Sequence, residues 1–88
     1  MIVVWDEPKR RANLEKHGLD FARVREWLDG AVVIPARTSR SGRMRLKLAL
    51  RTNRGWLVAI VSPLGSEALA VVSLRVASGP ERRVLHDG

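Results

Sequence analysis

The chain has no cysteine among its 88 residues, which rules out disulfides and thiolate metal ligands and leaves stability to a core or a partner. This suits a cytoplasmic protein. Histidine is almost as scarce: His17 and His86 are far apart in sequence, so no metal-ligand spacing emerges and no cofactor is expected. No window approaches the roughly 18 apolar residues of a membrane span, and the N-terminus lacks the basic and apolar pattern of an export signal. The glycine motifs of P-loops, dinucleotide folds and nucleophile elbows are also missing, which removes support for nucleotide-phosphate folds and triad hydrolases.

The absence with most consequence concerns charge. The net charge is +7. Residues 1–30 hold six acids and six bases, and residues 67–88 hold three of each, so both ends are balanced. Between residues 31 and 66 there is no acid, while Arg37, Arg40, Arg43, Arg45, Lys47, Arg51 and Arg54 all fall there. The excess charge is a patch. Thirteen of the sixteen bases are arginine, whose planar fork grips phosphate and stacks on bases, so nucleic acid or an acidic protein is the expected partner.

What is present matches one small domain over residues 1–88, burying about 60–65% of its unfolded surface. The run Arg43-Met-Arg-Leu-Lys-Leu-Ala-Leu-Arg51 alternates with a period of two, placing Arg43, Arg45, Lys47, Ala49 and Arg51 on one side of a strand and Met44, Leu46, Leu48 and Leu50 on the other. One face is apolar and the other cationic. Before it, residues 2–5 read as a strand, and Asp6 caps a helix that ends at His17 before Gly18. That helix has no apolar stripe, and Lys9, Asn13 and Lys16 share a face. Asp20 caps a second helix over residues 21–29, whose face of Phe21, Val24, Trp27 and Leu28 is a core face.

Residues 31–35 read as a short strand and residues 36–42 as a basic, serine-bearing loop. After a turn at residues 52–55, the apolar stretch 56–62 is the expected centre of the sheet, residues 63–66 turn the chain, and residues 67–76 return it with Ser73 and Arg75 opposite Val72, Leu74 and Val76. Ser78-Gly-Pro-Glu81 is a capping box opening a C-terminal helix with Arg82, Arg83 and His86. An arginine on an apolar strand needs an anion, so for Arg75 two partners stay open: Glu81 within the chain, or a bound phosphate.

Arginine and lysine suffice for RNA cleavage, because the neighbouring 2′-hydroxyl is the nucleophile and the protein need only orient it and stabilise charge on phosphorus. The segment Trp5-Asp-Glu-Pro-Lys-Arg-Arg-Ala-Asn-Leu-Glu-Lys-His-Gly18 resembles the opening signature of the BrnT toxins, W-D-x-x-K-x-x-x-N-x-x-K-H-G, at seven positions, and the later Ser73, Arg75, Ala77, Glu81 and Arg82 resemble that family's late strand and its sequel. The resemblance implies a small α+β, RelE-like domain with two N-terminal helices, a mostly antiparallel sheet and a short C-terminal helix. It implies a toxin of a type II toxin–antitoxin system: a metal-independent endoribonuclease that halts growth. Its partners would be RNA and a cognate BrnA-like ribbon-helix-helix antitoxin, with promoter DNA reached only through the antitoxin.

Carried over by position, Arg45 and Arg75 would contact the phosphate and transition state, Ser73 would orient Arg75, and Lys9, Asn13, Lys16 and His17 would form a supporting wall. Arg43, Lys47 and Arg51 extend the RNA-binding row. The chain departs from the family in having no tyrosine and in carrying Arg43 where an acid can stand, which leaves His86 as a substitute for proton transfer. The same basic row also fits a binding module without catalysis, accepting an acidic antitoxin or nucleic acid, or a subunit of a repressor complex.

Overall fold

Strand β1 (Ile2–Trp5) runs directly into helix α1 (Glu7–His17), and the junction is set by side chains that cap and tether. The computed structural model describes residues 1–34 and 45–86, His86 by its backbone alone. The basic loop expected over residues 36–42, and Arg43 and Met44 of the basic strand, lie outside the described residues.

Asp6 is the N-cap of α1, its carboxylate accepting from the Lys9 backbone N–H, while Lys16 and His17 occupy the last turn. Gly18 closes the helix at φ 69°, donating its N–H to the Leu14 carbonyl at 2.8 Å. With no apolar stripe, α1 is held by polar contacts: Trp5 Nε1 donates to Glu7 at 3.1 Å, and Arg10 donates to Glu7 and, at 2.8 and 3.0 Å, to both oxygens of Asp20. Asp20 also accepts from the Ala22 N–H at 2.9 Å, starting the next element. Its pKa is lowered, chiefly by the Arg10 hydrogen bonds and then by that backbone N–H.

That next element is a 3₁₀ helix, Phe21–Trp27, in place of the expected longer α-helix. Phe21, Val24 and Trp27 are three apart, so all three align on one face when there are three residues per turn. Phe21 and Val24 are fully buried, which favours the tighter winding. Of the two expected N-terminal helices, one is thus α and the other 3₁₀.

The sheet has the order β1-β5-β4-β3-β2, with β2 Val32–Ile34, β3 Leu46–Thr52, β4 Gly55–Leu64 and β5 Ala68–Val76. It is mixed: β1 is parallel to β5, and the other neighbours are antiparallel. The apolar β4 is central, as its composition predicts, but it continues through Pro63 and Leu64, where a turn is expected from the sequence. Pro63 is tolerated there because β3 pairs with β4 only as far as Val61.

One face of the sheet carries the main core, where Leu48, Leu50, Leu57, Ala59, Val61, Val71 and Leu74 pack on Phe21 and Val24. The opposite face has a smaller cluster, Ile34, Ala49, Val58 and Ala77, with Trp56, Ile60 and Leu85 against it; Leu85 comes from helix α2 (Gly79–His86). Ala49, which the alternation places between Lys47 and Arg51 on the cationic face, is fully buried there, so Lys47 and Arg51 stand apart on either side of it. Its small side chain lies in the cluster to which α2 contributes Leu85.

A β-bulge interrupts β5. Ile60 pairs with Ser73 and Val61 with Val71, so Val72 is skipped. The extra residue lets Val71 and Leu74, three apart, both enter the main core. Val72 consequently does not share Leu74's buried face, as simple alternation would require; it is only half-buried.

Candidate nucleic-acid interface

At the end of β1 the parallel pairing stops at Trp5 and Val71, which leaves the next stretch of β5 without a strand neighbour on that side. Asn13 of α1 fills the gap. Its Nδ2 donates to the Leu74 carbonyl at 2.9 Å and to the Leu19 carbonyl at 3.1 Å, and its Oδ1 accepts from the Leu74 N–H at 3.1 Å. Lys9, Asn13 and Lys16 are expected from the sequence to form one supporting wall; Lys9 and Lys16 are exposed, whereas Asn13 is buried and spends its amide on the backbone. A primary amide can imitate a peptide group, and burial of the Leu74 backbone requires one.

The clamp positions α1 so that Lys9, Lys16 and His17, all exposed, line an open groove of about 310 Å³ together with Val72 and Ser73 of the bulge. Lys9 and Val72 also line an adjoining hollow of about 220 Å³ that contains Arg45, Ser62 and Asp6. The two depressions share the bulge as their divide. The structure thus gathers Arg45, Lys9, Ser73, Lys16 and His17 along one track, although they come from α1, from β5 and from the residue just before β3.

Arg75 and Lys47 stand beside this track on the same side of the sheet as Ser73, and both are held by Glu81. Arg75 donates to the two carboxylate oxygens at 2.7 and 3.0 Å, and Lys47 Nζ donates to Oε2 at 3.1 Å. Glu81 also completes the capping box: it accepts from the Ser78 N–H at 2.8 Å, and its own N–H donates to Ser78 Oγ at 3.3 Å. Of the two partners open for Arg75, the internal one is occupied. The Arg75 hydrogen bonds hold the Glu81 carboxyl well below the usual carboxylate range, against the opposing effect of burial, with the Ser78 N–H and Lys47 adding to them. The Arg75 pKa is raised by the same pair.

Arg51 is separate from this group. Its guanidinium carbon lies over the Trp56 ring, 5.6 Å from the centroid, in a cation–π contact at the hairpin end of β3. There it shares a cavity of about 300 Å³ with Arg54 and Arg82, two residues not singled out from the sequence as site residues. Their signal was available only in part: Arg54 belongs to the acid-free segment, but nothing in the sequence brings Arg82 to it. The His86 side chain and Arg43 lie outside the described residues. No group of three or more His, Asp or Glu side chains among the described residues is arranged to hold a metal ion, and no described helix is long and apolar enough to cross a membrane.

An α+β domain with a lysine- and arginine-lined groove beside a sheet edge belongs to the class of small basic proteins that engage polyanions. Comparison with protein families is specific: residues 5–81 match the family described as the ribonuclease toxin, BrnT, of type II toxin-antitoxin systems. The chain is similar to the Brucella abortus ribonuclease toxin BrnT, known from a 1.1 Å crystal structure, with 41% identity, a TM-score of 0.71, and coverage of 89% of this chain and 99% of that one. Comparison with curated proteins gave no match. The chain belongs to the BrnT family of ribonuclease toxins of type II toxin–antitoxin systems.

Proposed function

We propose that this toxin cleaves RNA without a metal ion, using the track between α1 and the β5 bulge to hold the strand and Arg45, Arg75 and Ser73 to act at the phosphate. The single observation that supports the reading most is the convergence of Arg45, Lys9, Ser73, Lys16 and His17 on two adjoining hollows that share Lys9 and Val72. The 2′-oxygen of the substrate attacks phosphorus, the bond to the 5′-oxygen breaks, and the products are a 2′,3′-cyclic phosphate and a 5′-hydroxyl. Arg45 and Lys9 stabilise the charge that develops on the non-bridging oxygens. Arg75 is oriented in advance by Glu81, and Ser73 stands two residues before it on the strand. The proton leaving the 2′-hydroxyl passes to an imidazole, for which His17 lines the groove and His86 on α2 is the alternative, and the departing 5′-oxygen takes up a proton from water to become the 5′-hydroxyl. Lys16, Lys47 and Arg43 extend the phosphate contacts, while Asn13 acts through the β5 backbone.

In this reading the chain is one RelE-like domain acting in the cytoplasm, neutralised by a BrnA-like ribbon-helix-helix antitoxin through which it reaches promoter DNA. The test is incubation of antitoxin-free protein with labelled RNA in excess chelator. Fragments with cyclic phosphate ends, lost in Arg45→Ala while the melting temperature is kept, are the expected result. Cleavage that requires an added divalent ion would remove the metal-independent reading, and cleavage that survives Arg45→Ala would remove the site assignment.

A further inference from the structure

We propose that the cavity between the β3–β4 hairpin and α2 is a second RNA-binding subsite, separate from the cleavage track, which receives one nucleotide of the same strand: its base on Arg51 and its phosphate between Arg54 and Arg82. The inference rests on the reading of the chain as a ribonuclease and adds to it where a longer substrate is held.

Three features carry it. The cavity, about 300 Å³, is lined by Arg51, Arg54, Arg82, Trp56 and Val76 among others, and no carboxylate is among its described lining residues. Three arginines facing one hollow repel each other, and Arg82 adds a positive charge to the first turns of α2, where the helix dipole disfavours it. The arrangement gains from an anion, and phosphate is one that arginine forks match bidentately.

The second feature is the cation–π contact. Arg51 and Trp56 are cross-strand partners, and the guanidinium lies over the indole ring at 5.6 Å. Trp56 is itself anchored against the Ile34, Ala49, Val58 and Ala77 cluster, so the platform beneath Arg51 is firm. Arg51 is exposed, and a planar cation held against an aromatic ring presents its other face to a nucleobase. A flat platform beside a phosphate fork suits a nucleotide better than an acidic peptide, whose carboxylates need no stacking surface.

Distance is the third feature. Arg45 stands immediately before β3 and Arg51 six residues further on, within it, roughly 20 Å at about 3.3 Å per residue. A stacked strand advances about 3.4 Å per nucleotide, so roughly six nucleotides join the two places. Short substrates occupy the track alone, and longer ones reach both.

The experiment measures equilibrium binding of fluorescent 2′-O-methyl RNA, which cannot be cleaved through its 2′-oxygen, as a dinucleotide and as an oligomer of about eight nucleotides. For the Arg54→Ala/Arg82→Ala protein we expect the oligomer to bind about tenfold or more weakly than to the parent, with the slope of log affinity against log salt reduced by about 0.7 for the one phosphate lost, while the dinucleotide binds alike. Arg51→Lys, which keeps the charge and loses the planar stack, weakens the oligomer about fivefold or more without the change in slope. Equal oligomer affinity in the double variant, with urea unfolding confirming that it is folded, overturns the subsite. Loss of binding to an acidic peptide with RNA binding intact overturns it as well. The parallel cleavage assay on unmodified RNA separates the two readings: a parent protein that cleaves RNA while the double variant binds normally refutes the subsite alone, and a parent that neither binds nor cleaves refutes both.

Discussion

Asn13 and Leu74 are joined by two hydrogen bonds across 61 residues of sequence, the side-chain amide of one pairing with both backbone groups of the other at 2.9 and 3.1 Å. The pair replaces a strand where β1 ends, and it is also the fastening that sets α1 beside the bulge. The groove lined by Lys9, Lys16 and Ser73 therefore depends on a residue that contributes no group to its charge.

Asn13→Ala leaves the buried N–H and carbonyl of Leu74 without that partner, which should cost about 2–4 kcal/mol and lower the melting temperature by more than 10 °C in a domain of this size. Asn13→Asp should be nearly as harmful, because its carboxylate keeps the acceptor but sets a negative charge against the Leu19 and Leu74 carbonyls. Urea unfolding of both variants checks this. A change below about 0.5 kcal/mol in either would show that α1 is fastened by other contacts.

Glu81 joins β3, β5 and α2 through Lys47, Arg75 and Ser78. Glu81→Gln should cost about 2–3 kcal/mol, since it weakens hydrogen bonds to charged donors and leaves two cations facing each other. The pH dependence follows from the lowered carboxyl pKa. The folded state binds the Glu81 proton less readily than the unfolded chain, whose value is near 4.5, so the contribution is complete above that pH and is lost as the pH falls through the lower folded value. Stability profiles of the parent and Glu81→Gln should run apart at neutral pH and converge in acid. Parallel profiles down to the acid limit would contradict the ion-pair assignment.

Lys9 and Lys16 are exposed on α1 and line the groove. Replacing both by alanine should leave the fold's stability within about 0.5 kcal/mol while raising KM for RNA about tenfold with kcat reduced less. Each lost phosphate contact lowers the salt slope of single-strand binding by about 0.7. Steady-state cleavage at several salt concentrations tests it, and an unchanged KM would take the substrate away from α1.

Much of the scaffold could be read without a structure, because local chemistry decides it. Asp6 and Gly18 bound α1, Ser78 and Glu81 start α2, and the alternation of Leu46, Leu48 and Leu50 marks a half-buried strand, each through groups only a few residues apart. The 3₁₀ winding of Phe21–Trp27 is not legible, since positions three apart share a face at both helical periods, and the spacing of Phe21 and Val24 fits either.

The sequence by itself determined that the charge is concentrated between residues 31 and 66, where the helices begin and end, and that β4 is central, because composition and capping act over short range. Only the tertiary structure decided how the charges are used. It buried Ala49 and so divided the basic row, moved Arg51 beside Arg54 and Arg82, turned Asn13 inward to Leu74, and bound Arg75 to Glu81. Each of these depends on which elements meet across the sheet, and a buried polar group takes whichever partner the packing brings within hydrogen-bond reach.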